Sequence, residues 1–157
     1  MKISGFAFIV LCGLLLFGCK KDTSPKVNDF FIGATKNGAN WVGQPSAGTF
    51  ASGDSAQVIG FKAAGEETLR FNFKLKGPGT YNIQAGQASY FTTLGLDAVT
   101  GSYKIDATAT NTVTIQSFEP QSGYTHGSFQ LNFVKVSGNG ADKLTFTNGK
   151  FYVYVKH

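Results

Sequence analysis

The segment Leu69-Arg70-Phe71-Asn72-Phe73-Lys74-Leu75-Lys76 alternates apolar and polar residues without a break. In an extended chain successive side chains point to opposite faces, so Leu69, Phe71, Phe73 and Leu75 share one side and the four polar residues share the other. A helix would scatter the same residues around its circumference. Only a strand with one dry and one wet face, as in antiparallel sheets, satisfies the pattern. The same period predicts inward sets at Ile59, Phe61 and Ala63, at Tyr103 and Ile105, at Val113 and Ile115, and at Phe129, Leu131 and Phe133. From Phe30 onward no helical period competes with it. Composition agrees, since aromatics are 14%, glycines number 20, and charged residues are 15% against the ~25% of an average domain. The expected fold class is all-β: a single antiparallel β-sandwich or β-barrel of about nine to ten strands.

Turn residues divide these strands. Asn37-Gly38 suits a two-residue type I′ hairpin, pairing Ala34 with Trp41 and Thr35 with Asn40. Asn148-Gly149 suits a second, which would pair Thr147 with Lys150, Phe146 with Phe151 and Leu144 with Val153. Gly77-Pro78-Gly79-Thr80 reads as a type II turn, with Pro78 pre-set in φ and Gly79 free to take a positive φ. Gly138-Asn139-Gly140 lacks the remaining glycine spacing of a phosphate loop and is followed by a strand, so it too reads as a turn.

The first nineteen residues have a different character. A basic start at Lys2 leads into an apolar run from Ile3 to Phe17 and ends at Gly18-Cys19, the layout of a secretory signal. The run is shorter than the ~20 residues that span a bilayer as a helix. Leu16-Phe17-Gly18-Cys19 resembles the lipobox of bacterial lipoproteins, with Leu three residues before the Cys and a small residue immediately before it. The resemblance implies cleavage before Cys19 and lipid attachment at Cys19. Several acyl chains anchor firmly, since each buried CH₂ contributes roughly 0.8 kcal/mol. Lys20, rather than Asp, follows the cysteine, and by resemblance to lipoprotein sorting signals this implies the outer membrane of the cell envelope. The expected organisation is a signal peptide over 1–18, a flexible tether over 19–29 interrupted by Pro25, and the all-β domain over 30–157.

Several chemistries lack residues. Cys12 and Cys19 are the two cysteines, so the domain can hold no disulfide framework. With His126 and His157 as the two histidines, and carboxylates that are isolated in sequence, no spacing typical of zinc or calcium emerges, and neither a metal nor a cofactor is expected. Gly53-Asp54-Ser55 resembles the nucleophile motif of some serine hydrolases, but Ala56-Gln57 follows where those families place other residues; a turn capped by Asp54 is the simpler reading. Glu66-Glu67 is the one adjacent acidic pair and reads as a solvated turn rather than a paired acid and base. The net charge is +5, or 5 − 1 = +4 without Lys2. Its source is almost wholly Lys, scattered along strands and loops, with Arg70 the single Arg. That pattern argues against nucleic acid as a partner.

Taken together, Asn37-Gly38 before Trp41, Gly79-Thr80-Tyr81-Asn82-Ile83, Thr112-Val113-Thr114-Ile115, Gly127-Ser128-Phe129 and Thr147-Asn148-Gly149-Lys150-Phe151 carry a resemblance across most of the chain after Cys19. It is to an uncharacterised family of short lipoproteins from Bacteroidota-type bacteria, domain-of-unknown-function family six-two-five-two. The resemblance implies an all-β exported domain; it supplies no activity and no site residues.

The functional expectation is therefore a membrane-anchored, non-enzymatic binding or envelope-accessory module. Trp41, Tyr90, Tyr152 and Tyr154 are the candidate ligand-contact aromatics, and Cys19 is the contact with the membrane. Tyr152 and Tyr154 alternate with Phe151, Val153 and Val155, so that strand is either buried on both sides or carries an exposed tyrosine stripe. Two other readings exist: a lipocalin-like barrel carrying a small apolar ligand inside, and a surface protein that binds or hydrolyses glycans. An apolar cavity of ~300 Å³ or more would mark the first. Two carboxylates ~5–10 Å apart in a cleft would mark a hydrolase.

Overall fold

The computed structural model describes residues 29–49, 55–63 and 66–155. Ten strands account for most of them: β1 (Phe31–Lys36), β2 (Ala39–Thr49), β3 (Ser55–Lys62), β4 (Glu67–Lys74), β5 (Gly79–Asn82), β6 (Ala88–Leu94), β7 (Ala98–Ile105), β8 (Thr112–Phe118), β9 (Tyr124–Gly138) and β10 (Lys143–Tyr154). All pairings are antiparallel, in the order β10-β1-β2-β3-β4-β6-β7-β9, and β9 pairs again with β10. Eight strands thus close into a barrel, and closure decides between the two expected architectures. The long β9 also pairs β8 through its first half, and β8 pairs β5, so a two-stranded flap branches from the ring.

Closure follows from the dyad pattern. Leu69, Phe71 and Phe73 of β4 point inward, as do Ile32 of β1, Val58 of β3, Phe129, Leu131 and Phe133 of β9, and Phe146, Phe151 and Val153 of β10. Arg70, Lys74, Lys104 and Gln130 face outward. A membrane-spanning barrel carries the opposite polarity, apolar outside and polar within. The interior is filled by rings in contact. Trp41 meets Phe146 edge-on at 5.5 Å, Phe146 meets Tyr90 at 5.4 Å, and Phe71 meets Phe129 and Phe151 at 5.2 and 5.7 Å. Each such pair contributes ~0.5–1.5 kcal/mol beyond the area it buries. Val113 and Ile115 of the flap join the same core, and Tyr81 packs on Phe73 at 5.5 Å. The flap therefore covers the barrel end opposite Glu67.

The Asn37-Gly38 hairpin forms as expected, with φ of 47° and 82° and with Ala34 opposite Trp41. Asn148-Gly149 does not turn the chain. β10 runs straight through it, and the pairing on both flanks shifts by one residue there: Phe146 lies opposite Leu131 while Gly149 lies opposite Phe129. Asn148, at φ 52°, is the extra residue of a β-bulge. The bulge switches the inward face from even positions (Leu144, Phe146) to odd ones (Phe151, Val153), which is the phase change read from sequence as a hairpin. A hairpin cannot form because β1 and β9 hold this strand on both sides along its length.

Two further expectations change. On β3 the inward residues are Ala56, Val58 and Gly60, and Ile59 and Phe61 lie on the other face. Small residues face inward because Trp41 occupies the space: a Cβ on Gly60 would stand 2.6 Å from the indole. Gly77–Gly79 forms a bend rather than a type II turn, with Gly79 already in β5 opposite Ile115. The Tyr81 hydroxyl holds that bend by donating to the Gly77 carbonyl at 2.5 Å and accepting from the Lys76 N–H at 3.1 Å.

Candidate functional site

The four candidate aromatics separate into two pairs. Trp41 and Tyr90 belong to the core, at 0% and 2% exposure. The inward phase of β2 and β6 takes both off the outer wall. The Trp41 indole N–H finds no acceptor among the described residues. Tyr152 and Tyr154 lie on the outer wall, opposite in phase to the buried Phe151, Val153 and Val155. Of the two readings of this strand, the exposed tyrosine stripe is the one that holds. Cys19, Gly53 and Asp54 lie outside the described residues.

Tyr152 is the centre of the outer stripe. Its direct cross-strand partners are Phe31 of β1 and His126 of β9, and the His126 ring lies 3.8 Å from it, centroid to centroid. Phe30 approaches Tyr152 edge-on at 5.0 Å, and Tyr124 stands 5.9 Å from Tyr154 and 6.2 Å from Tyr152. Phe31 and Tyr154 remain 43% and 46% exposed, so the stripe presents ring surface to solvent. The Tyr152 hydroxyl titrates above the ordinary tyrosine value, first through partial burial and then through the neighbouring Tyr124, Glu119 and Asp29.

Beside the stripe lies a shallow cleft of about 350 Å³. Its floor is Gly33 and Ala34, and Phe31, Thr35, Asn40, Asn148 and Lys150 line its sides. Gly33 has no side chain to fill the space between Phe31 and Val42, while the β1–β2 hairpin and the β10 bulge bring in Asn40 and Asn148. An aromatic wall flanked by two side-chain amides, a hydroxyl and one ammonium can hold a hydroxyl-rich ligand by its apolar face and its edge groups together.

Tyr90 reaches a different place, the open mouth of the barrel. Its hydroxyl donates to Glu67 at 2.6 Å and accepts from Lys36 at 3.0 Å. Lys36 also pairs directly with Glu67, and Lys62 lies 3.4 Å from the other carboxylate oxygen. Burial pushes the Glu67 carboxyl up, but the hydrogen bonds from Lys36 and Tyr90 and the charges of Lys36 and Lys62 outweigh it, leaving its pKa below the usual glutamate value. Burial, the bond to Glu67 and that group's charge push the Tyr90 phenol far above the ordinary value. The expected solvated acidic turn is thereby corrected. Glu67 is 8% exposed, and Glu66 accepts the Gly95 and Leu96 N–H groups at 3.0 and 3.2 Å, bracing the β6–β7 turn. The sequence carried a signal for this cluster, because Lys36 continues the inward phase of Ile32 and Ala34, and Glu67 that of Leu69 and Phe71.

Three further acids serve local structure. Asp106 accepts the Thr108 N–H and hydroxyl and meets Lys143, while Asp142 pairs with Lys135 and Glu119 accepts from Ser122. Among the described residues no three His, Cys, Asp or Glu side chains converge as a metal site. Comparison with known proteins gives one family: the profile described as "Domain of unknown function (DUF6252)" matches residues 28–154. No curated protein and no solved structure matches the chain.

Proposed function

The chain belongs to the DUF6252 family of domains of unknown function, and from that footing we propose that it is a non-enzymatic, membrane-tethered module that binds a glycan on the outer wall of its barrel. The carrying observation is the register that sets Phe31, Tyr152 and His126 side by side on three adjacent strands, next to the cleft over Gly33. Pyranose rings offer C–H faces that pack on aromatic rings. Their hydroxyl edges both donate and accept, as do the amides of Asn40 and Asn148. The lipid on Cys19 would hold the domain at the outer membrane, and the chain enters the barrel at Phe30, next to the stripe. The interior gives a lipocalin-like carrier less support, because Trp41, Phe71, Phe133 and Phe146 fill it with exposures of 1% or less.

The test is calorimetric titration of the purified protein against soluble fragments of bacterial and host glycans. A saturable response that is lost in Tyr152→Ser and Phe31→Ser, with folding intact, supports the reading. No response across the panel, or one indifferent to both substitutions, overturns it. Cell fractionation of Cys19→Ala tests the anchor; retention in the membrane fraction would sink that part.

A further inference from the structure

The barrel's open mouth holds a cleft of about 330 Å³, apart from the outer stripe. Tyr90, Tyr103 and Leu144 form its floor, Lys36 its charged side, and Asn139 to Ala141 of the β9–β10 loop its far wall. We propose that this mouth is a second binding site, for a small organic carboxylate with a flat apolar body.

Three observations carry it. The first is charge. Lys36 lines the cleft and pairs with Glu67, whose other carboxylate oxygen lies 3.4 Å from Lys62, so two ammonium groups face that one carboxylate. The second charged pair nearby, Lys135 with Asp142, is neutral as a unit. An ammonium has three donors, and Lys36 uses two of them on Glu67 and Tyr90. The third remains for a ligand oxygen, and the 23% exposure of this side chain leaves it within reach. A carboxylate gains a charge-assisted bond there, a neutral carbonyl a weaker one, and a cation is repelled.

The second is a preformed wall. The Asn139 N–H donates to the Thr100 carbonyl at 2.8 Å, the Tyr103 hydroxyl donates to the Asn139 carbonyl at 3.2 Å, and Lys135 donates to the Gly140 carbonyl at 3.0 Å. The Tyr103 oxygen stands 2.3 Å from where a Cβ on Gly140 would lie, so the loop closes down as far as a bare backbone allows. A wall ordered before binding costs little entropy when a ligand arrives.

The third is the floor. The Tyr90 and Tyr103 rings meet at 5.5 Å and 58°, beside Leu144, which gives an apolar base just below the ammonium. The volume sits at the low end of small-molecule sites, which run from ~300 Å³ upward. That size suits a compact acid rather than a long chain.

Benzoate is the probe, with benzamide as its neutral isostere, and the measurement is amide NMR of the purified full-length protein. Benzoate should shift Gly140, Ala141 and Tyr103 saturably, and benzamide at equal concentration should shift them far less. Lys36→Gln should weaken the benzoate response by about tenfold or more, the loss of one charge-assisted bond. Ala141→Trp, which fills the cleft and spares the charge cluster, should abolish it. Benzamide shifting the same residues equally would overturn the proposal, as would no response to benzoate. A response that survives Ala141→Trp would do so too, and that variant decides the matter should Lys36→Gln fail to fold. None of these outcomes bears on the outer stripe.

Discussion

The terminal carbon of the Trp41 indole, Cη2, lies 2.6 Å from where a side chain on Gly60 would begin, so the two residues share one volume across β2 and β3. Ile32 closes the same space from a third strand, with its Cγ2 at 2.9 Å. Core side chains from two strands crowd the methyl that Gly60→Ala would add, and the expected loss is about 1–3 kcal/mol from overpacking. Urea unfolding checks the value. Trp41→Phe, costly alone, should recover part of the Gly60→Ala loss when the two are combined, a coupling that a double-mutant cycle reads directly.

Glu67 gives the domain an acid-sensitive mouth. Its folded pKa lies below the ordinary glutamate value of 4.5, so its contribution to stability is present above that value and is lost as pH falls through the folded pKa. Melting temperature should hold from neutral pH to about 5 and then decline. Glu67→Gln should cost ~1–3 kcal/mol at pH 7, a figure held down by the partial exposure of Lys36 and Lys62, and should flatten the decline. An unchanged acid limb in that variant would show that another group sets it.

Tyr90 acts at the other end of the pH scale. Its pKa is raised, so the stability it brings is complete below the ordinary tyrosine value of 10.0 and is lost as pH climbs toward the folded value. Phenolate absorbance should show a late step coincident with alkaline unfolding. Tyr90→Phe should remove that late step. A smooth titration of every tyrosine in the native protein would contradict the buried placement.

The bulge in β10 makes a third kind of demand. At φ 52°, Asn148 occupies a region that a β-branched residue enters at a cost of ~1–2 kcal/mol. Asn148→Val should therefore destabilise by about that amount, while Asn148→Gly should change little. Deleting Asn148 is a harsher test, because Lys150 and Tyr152 would then swap faces with Phe151 and Val153. Loss of the near-ultraviolet aromatic dichroism is the expected result.

Alternation exposed much of this architecture in the sequence: the strand class, the inward faces of β4, β7, β8 and β9, and the Asn37-Gly38 hairpin with its register. The failures have a common physical root. Asn148-Gly149 has the same local chemistry as Asn37-Gly38, and both need positive φ at Asn. Whether such a pair turns the chain or only shifts its phase depends on which strands flank it, and that is non-local. Ile59 and Phe61 are greasier than Ala56 and Gly60, yet the small pair faces inward because a tryptophan from the next strand needs the room. Of the candidate ligand contacts, Tyr152 and Tyr154 were readable from their phase against Phe151 and Val153. That Trp41 and Tyr90 face inward was not readable, because an aromatic side chain does not announce which side of a barrel wall it serves. The mouth cluster went unread, although Lys36 and Glu67 each sit in phase with buried neighbours.

The first strand of this domain lies between the second and the last. A chain made from its N-terminus therefore exposes one raw border of β1 until Tyr154 has been delivered, more than a hundred residues later. No partial product can circularise, so folding waits on completion, and a polypeptide clipped before β10 would leave β1 and β9 as sticky flanks open to any passing strand. Ring completion thus doubles as a check that synthesis has passed β10.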